Sequence, residues 1–439
     1  MTNDLKSAPG LPTRRTVLAS SLGGLVAPMF SQLPARAAPP TRLTMWSWVP
    51  NLRTELDMFE AAHPDIRIDV INAGQAAPEY AKLRTALKAG KGAPDIVQLE
   101  LSMVATFMQI KGLADLATLG ASSLGNTYVD WSWHQVTRGA SVFALPWDSG
   151  PMGQIYRQDI AEKRKFTLPK SWDEFADTAM RIRKDGGDGY LCNATFSDGG
   201  WSTGLLWQAG WRPFTIDGDK ITIRINDDVA KRFARYWQKL VDAKAVDTAP
   251  GFVTDWYQSI ARGRYAIWLT AAWGPLFLAQ FAQSSSGQWR CGQLPQWDAA
   301  KPSNGNYGGS SLAVSSTSPN KQAAATAIQW LLSQKQPGTA FATKQFLFPV
   351  QKALLDDPKF LSVPYPFYGD QAINTVFAEA AHRVGEGFQW SPFNDYFMSQ
   401  MSNELGAAAS GSGTLEAAFD RLQDRIARYA KQQGFRVSS

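Results

Sequence analysis

Cysteine and histidine are nearly absent from this chain. Two cysteines, Cys192 and Cys291, and three histidines, His63, His134 and His382, serve 439 residues. Two thiols are too few for a disulfide framework or a cysteine-based zinc site. They either form one bridge in an exported chain or stay as two buried thiols. The histidines are far apart and none has a partner at metal-ligand spacing, so neither a metal nor a cofactor is expected. Also missing are a G-x-S-x-G elbow, a P-loop and a G-x-G-x-x-G turn after a strand. Asn304-Gly305-Asn306-Tyr307-Gly308-Gly309-Ser310-Ser311 is rich in glycine but lacks the lysine and spacing of a phosphate loop. No catalytic residue is expected. Neither sign of charge dominates, with 44 Lys+Arg against 38 Asp+Glu, and no basic run marks a nucleic-acid surface.

Residues 1–37 read as an export signal. Arg14-Arg15 precedes the weakly apolar stretch Thr16 to Met29, and Ala35-Arg36-Ala37 puts small residues where a signal peptidase cuts. The stretch is too short and too glycine-rich for a spanning helix, which needs ~20 apolar residues. Thr13-Arg14-Arg15-Thr16-Val17-Leu18 resembles the twin-arginine signal; a general secretory signal that carries two arginines is the alternative. No cysteine near the cut offers a lipid anchor. The expected product is a soluble periplasmic protein cleaved after about Ala37. Removing Lys6, Arg14, Arg15, Arg36 and Asp4 with the leader lowers the formal charge from +6 to +3, which is near neutral.

Strands and helices alternate in the mature chain. Thr41 to Trp48 reads as a strand, followed by a helix with Leu52, Leu56 and Phe59 on one face, stopped by Pro64. Ile66, Ile68 and Val70 alternate as a second strand. Glu79 to Ala89 reads as a helix closed by Gly90, and Pro94 to Glu100 as a third strand. This β-α-β-α-β order implies a mostly parallel sheet flanked by helices, with ligand beyond the carboxyl ends of the strands. Those ends are Trp46-Ser47-Trp48 and Glu100. Further on, Ser171-Trp172-Asp173-Glu174 has the form of a capping box, and Asp227 to Val241 reads as an amphipathic helix. Near the end, Leu415, Phe419, Leu422, Ile426 and Tyr429 step by four, three, four and three, a core-facing stripe.

Tryptophan is abundant, with 17 copies against 12 tyrosines. Trp46, Trp48, Trp147, Trp201, Trp273 and Trp390 sit beside turn-forming residues rather than inside helical stripes. A pyranose packs its C–H face on an indole, while its hydroxyls need paired donors and acceptors such as carboxylates and loop amides. Core packing is the alternative for each tryptophan taken singly. Glu100 and Asp148 could also be imagined as the acid pair of a carbohydrate-active enzyme.

From Leu43-Thr44-Met45-Trp46-Ser47-Trp48 onward the chain resembles the extracellular solute-binding family 1, the carbohydrate-binding components of ABC importers, maltose-binding protein among them. The resemblance runs over roughly residues 41–433. It continues through His63-Pro64-Asp65-Ile66-Arg67-Ile68, Gly92-Ala93-Pro94-Asp95-Ile96-Val97 and Leu145-Pro146-Trp147-Asp148-Ser149-Gly150-Pro151. Leu168 to Phe175, Trp273-Gly274-Pro275, Leu294-Pro295 and Gly308-Gly309-Ser310-Ser311-Leu312-Ala313-Val314 complete it. The leader departs from the family's more usual lipid-anchored or standard secretory form. The resemblance implies an α/β, two-lobed periplasmic binding protein fold of type II. The first lobe would hold 41–147 and 307–346, and the second 148–306 and 347–434, with crossings near 146–149, 304–308 and 346–349. Trp46, Ser47, Trp48 and Glu100 would line one wall of the cleft, and Trp201, Trp273 and Trp390 the other. Asp148, Gly308, Gly309 and Ser310 would lie near the hinge. The implied ligand is a small-molecule carbohydrate, and the implied partners are permease subunits in the inner membrane. No nucleic acid is implied, and the carrier would act as a monomer. A polyamine or a glycerol phosphate is the alternative solute.

Overall fold

Alternating apolar residues build the first sheet. In the computed structural model, which describes residues 39–438, strand β1 (Thr41–Trp46) buries Leu43 and Met45. The leader, residues 1–37, lies outside the described residues. Helix α1 (Arg53–Ala62) buries Leu56 and Phe59 and gives way at His63-Pro64 to β2 (Ile66–Ile71). Helix α2 (Ala77–Ala89) has Pro78 in its first turn and ends at Gly90, whose left-handed φ of 66° favours glycine. Strand β3 (Ile96–Glu100) runs directly into α3 (Leu101–Gln109), so Glu100 stands at the carboxyl end of a strand and the start of a helix.

The chain returns through β4 (Leu145–Pro146) and crosses to β5 (Met152–Arg157). There follow α4 (Trp172–Lys184), β6 (Tyr190–Cys192), α5 (Gly199–Gln208), α6 (Asp228–Asp242), β7 (Tyr265–Ala271) and β8 (Trp289–Gln293). It crosses back to β9 (Ser310–Val314) and α7 (Lys321–Ser333), and ends in α8 (Ile373–His382), α9 (Asn394–Ala409) and α10 (Leu415–Gln432). At the start of α4 the Ser171 hydroxyl accepts from Glu174 N. The Glu174 carboxylate reaches back one residue further than a capping box requires, to Lys170 N at 2.7 Å.

The two largest sheets have the orders β2-β1-β3-β9-β4 and β8-β5-β7-β6. Each is mostly parallel, as expected, with one reversed strand, β9 in the first and β5 in the second. In the first, β1 pairs parallel with β2 and β3, whereas β9 is antiparallel to both β3 and β4. In the second, β5 is antiparallel to β7 and β8, and β7 is parallel to β6. The cause is the crossing. The segments leading to β5 and β9 pair antiparallel at Pro151 and Asn306, and each carries its own direction into the sheet it joins. A third segment joins them, since Asp148 bridges Pro349 and Ser149 N donates to Phe348 O at 2.9 Å. Packing here is tight enough to demand glycine: a Cβ on Gly150 would lie 1.9 Å from the Tyr307 carbonyl oxygen.

Most of the tryptophan goes into the interior. Trp172, Trp201, Trp207, Trp211, Trp237 and Trp289 are all fully buried around the second sheet. The cysteines stay separate. Cys192 lies on β6 and Cys291 on β8, opposite edges of the second sheet and about 14 Å apart by strand spacing, beyond disulfide reach. Helix α9 packs against α3 on one side and α5 on the other, and so lies where the two halves meet.

Candidate functional site

The end of β3, the starts of α2, α5 and α9, and the crossing at 306–308 converge on one cavity of about 290 Å³. Its lining includes Tyr80, Glu100, Asp198, Tyr307, Trp390 and Asp395. Each is held by its own element. Tyr80 packs edge-to-face on Phe107, and its hydroxyl donates to Glu100 Oε2 at 3.1 Å. Asp198 caps α5, accepting from Gly200 N at 2.8 Å and Trp201 N at 3.2 Å through Oδ1. Its second oxygen accepts from the Tyr307 hydroxyl. Gly200 leaves the room for that ring, because a Cβ there would meet Tyr307 Cε2 at 2.7 Å. Asp395 accepts from Arg84 of α2, an ion pair that joins the two halves at the cavity's side.

Three carboxylates, Glu100, Asp198 and Asp395, belong to the lining. Burial pushes the Glu100 carboxyl above its ordinary value, and Asp148, Asp395 and Asp198 add like-charge repulsion. Burial also raises the Tyr307 phenol, helped by Asp198. Two further groups on the cavity wall are unsatisfied. Trp390 Nε1 and Asn394 Oδ1 are buried and have no hydrogen-bond partner among the described residues. Buried polar atoms without partners are rare in folded proteins, and both of these belong to residues of the cavity lining. No lysine or arginine belongs to the lining.

Of the residues read from the sequence as ligand-binding, Glu100, Gly308 and Trp390 line this cavity. Ser47, Ser310 and Asp148 form a hydrogen-bonded floor instead. Ser47 Oγ donates to Gln98 Oε1 at 2.7 Å, Gln98 Nε2 donates to Ser310 Oγ at 3.3 Å, and Ser310 N donates to Asp148 Oδ1 at 2.7 Å. Burial pushes the Asp148 carboxyl up to about 6, against the pull of Ser310. Gly309 supports the same floor, its carbonyl accepting from Leu101 N at 2.9 Å. Trp273 clamps the crossing: its indole donates to the Tyr307 carbonyl at 2.8 Å and stands edge-on to that ring. Trp48 meets Tyr80 edge-to-face at 6.2 Å, and Trp46 is half-buried against the same core.

Trp201 departs furthest from the expectation. Its indole lies inside the core against Phe196 and Trp237, and its Nε1 donates to Leu269 O. The residue follows the cap of α5 and points along the helix's buried face, so only its backbone N–H reaches the site. Sequence reasoning missed Tyr80, Asp198, Tyr307, Asn394 and Asp395. One signal was available: Asp198-Gly199-Gly200 is an acidic N-cap before two residues with no side chain.

Against known proteins, residues 45–336 match the family described as bacterial extracellular solute-binding protein. A lactose-binding protein of Rhizobium radiobacter is 24% identical over 300 residues, 64% of this chain and 68% of that one. Two solved structures superpose over 91% of this chain and all of their own. One is the ABC transporter associated binding protein of B. animalis subsp. lactis with β-1,6-galactobiose, with TM-score 0.77 and 30% identity. The other is the galacto-N-biose-/lacto-N-biose I-binding protein of Bifidobacterium longum with lacto-N-biose, with TM-score 0.79 and 24% identity. These share the two-lobed α/β fold of type II.

Proposed function

The chain belongs to the bacterial extracellular solute-binding protein family, and on that premise we propose that it captures a small neutral oligosaccharide for an ABC importer. The observation that carries this is the lining of the 290 Å³ cavity: an indole, two phenols and three carboxylates, with an unpaired donor and an unpaired acceptor. Its acids are mostly occupied. Asp198 is bonded on both oxygens and Asp395 is paired with Arg84, while Glu100 is held toward its neutral form. A polyamine would want several carboxylates with free oxygens, whereas Asp198 has both oxygens bonded and Asp395 faces Arg84. A glycerol phosphate would want a basic side chain, and none lines the cavity. The solutes named for the relatives, lactose, β-1,6-galactobiose and lacto-N-biose, direct the choice of probes to galactosides.

The mechanism needs two bodies and a hinge. We assign residues 41–147 with 307–346 to one lobe and 148–306 with 347–434 to the other. Sugar touching Tyr80 and Glu100 on one side, and Asp198, Trp390 and Asn394 on the other, stabilises the closed form by its extra affinity for it. The closed carrier, a monomer, then presents both lobes to the permease and releases its sugar chemically unchanged. The leader directs export to the periplasm and is cut after about Ala37. Among the described residues no helix is long and apolar enough to cross a membrane.

Titration with lactose and β-1,6-galactobiose tests the reading, with tryptophan fluorescence and melting temperature followed together. At a hundredfold the dissociation constant, bound sugar adds about 2.7 kcal/mol of stability. Recovered sugar should be intact by mass spectrometry. A thermal shift with spermidine or glycerol 3-phosphate, and none with either disaccharide, overturns the proposal.

A further inference from the structure

Tyr429 closes the apolar stripe of α10, yet it is not core. Leu415, Phe419, Leu422 and Ile426 are fully buried, whereas Tyr429 is half-exposed. Its ring stacks on Tyr396 of α9, with centroids 3.9 Å apart and planes 18° from parallel. The pair borders a groove of about 480 Å³, which Arg84 of α2, Thr106 and Gln109 of α3 and Gln433 also line. This groove adjoins the inner cavity, because Asp395 lines both. The Arg84–Asp395 ion pair stands at the boundary.

The chemistry of the groove is that of a sugar site. Two carboxamides, a threonine hydroxyl and two phenols offer donors and acceptors beside aromatic surface. Arg84 and Asp395, the charged residues of its lining, neutralise each other, which favours an uncharged occupant. Size argues the same way. The inner cavity alone sits at the lower edge of the range for small-molecule sites, about 300–1,000 Å³, and the two spaces together fall well inside it.

We propose that the groove bordered by Tyr396 and Tyr429 is an outer sugar subsite, reached from the inner cavity past Arg84 and Asp395. The ligand is then an oligosaccharide longer than the inner cavity holds. This inference rests on the sugar reading above.

The test is calorimetric titration with galactose, β-1,6-galactobiose and β-1,6-galactotriose against the wild type, Tyr429→Ala and Tyr429→Phe. The wild type should bind the trisaccharide at least tenfold more tightly than the disaccharide. Tyr429→Ala should lose that gain while keeping the wild-type affinity for disaccharide, and Tyr429→Phe, which keeps the stack, should retain most of it. Gln433→Ala, at an exposed position just past the last turn of α10, reads the same contrast should Tyr429→Ala fail to fold. Equal affinity of the wild type for the di- and trisaccharide overturns the outer subsite and leaves the sugar reading standing. So does a trisaccharide gain that survives in Tyr429→Ala. Absence of binding by all three sugars overturns the underlying reading as well.

Discussion

At the residue scale, burial decides what each polar group can be. Glu79 is fully buried beside the site's Tyr80, and neither of its carboxylate oxygens has a hydrogen-bond partner among the described residues. Burial pushes its carboxyl from 4.5 up to about 8. Below pH 4.5 the folded and unfolded chains both carry the proton, and the group costs nothing. Between pH 4.5 and 8 the unfolded chain releases it first, so folding stability falls as pH rises, by roughly 2–4 kcal/mol at pH 7. Glu79→Gln should flatten that fall. Urea denaturation at pH 5 and pH 7.5 should show a smaller difference between the two pH values in the variant than in the wild type. No sequence pattern announced this residue, because a glutamate in the first turn of a helix ordinarily faces water. Trp390 was legible for the opposite reason: an indole in a Gln-Trp-Ser-Pro loop has no helical stripe to join.

At the scale of elements, periodicity was a good guide to which face is inside and a poor one to element ends. The stripe of α10 was correct for four of its five residues; the fifth, Tyr429, is half-exposed and stacks on Tyr396 of α9. In β2, Ile66 and Ile68 are buried as the alternation implies, but Val70 is exposed, because β2 is an edge strand. Trp201 shows how a turn-flanked tryptophan misleads: the turn is an N-cap, and the indole belongs to the helix after it. Trp201→Ala should therefore cost about 3–5 kcal/mol of folding stability in the absence of sugar. Thermal unfolding of the unliganded protein checks this. A melting temperature unchanged from the wild type would return Trp201 to the ligand wall.

At the scale of the whole molecule, the crossing segments control how the halves are held. Gly150 and Gly305 sit where backbones touch: a Cβ on Gly305 would lie 1.8 Å from the Gly204 carbonyl oxygen. Backbone cannot yield as a flexible side chain does. Gly150→Ala should lower the melting temperature by several degrees, in line with the 1–3 kcal/mol typical of overpacking. It should also weaken disaccharide binding, because Tyr307, whose carbonyl it would push, carries the phenol that meets Asp198. Paired melting and titration measurements separate the two effects.

Local pattern by itself determined the alternation of strands and helices, the lack of a metal-ligand spacing and the chemical flavour of the site, because those depend on neighbours within a few positions. Family resemblance added the two-lobed architecture. Tertiary structure alone decided which residues meet. Tyr80, Asp198, Tyr307 and Asp395 are scattered over more than 300 positions and share one cavity only because α2, α5, the second crossing and α9 converge there. It also decided the direction of the central strands and the placement of eleven tryptophans in the interior. Side-chain convergence is set by long-range packing, and no local spacing encodes it.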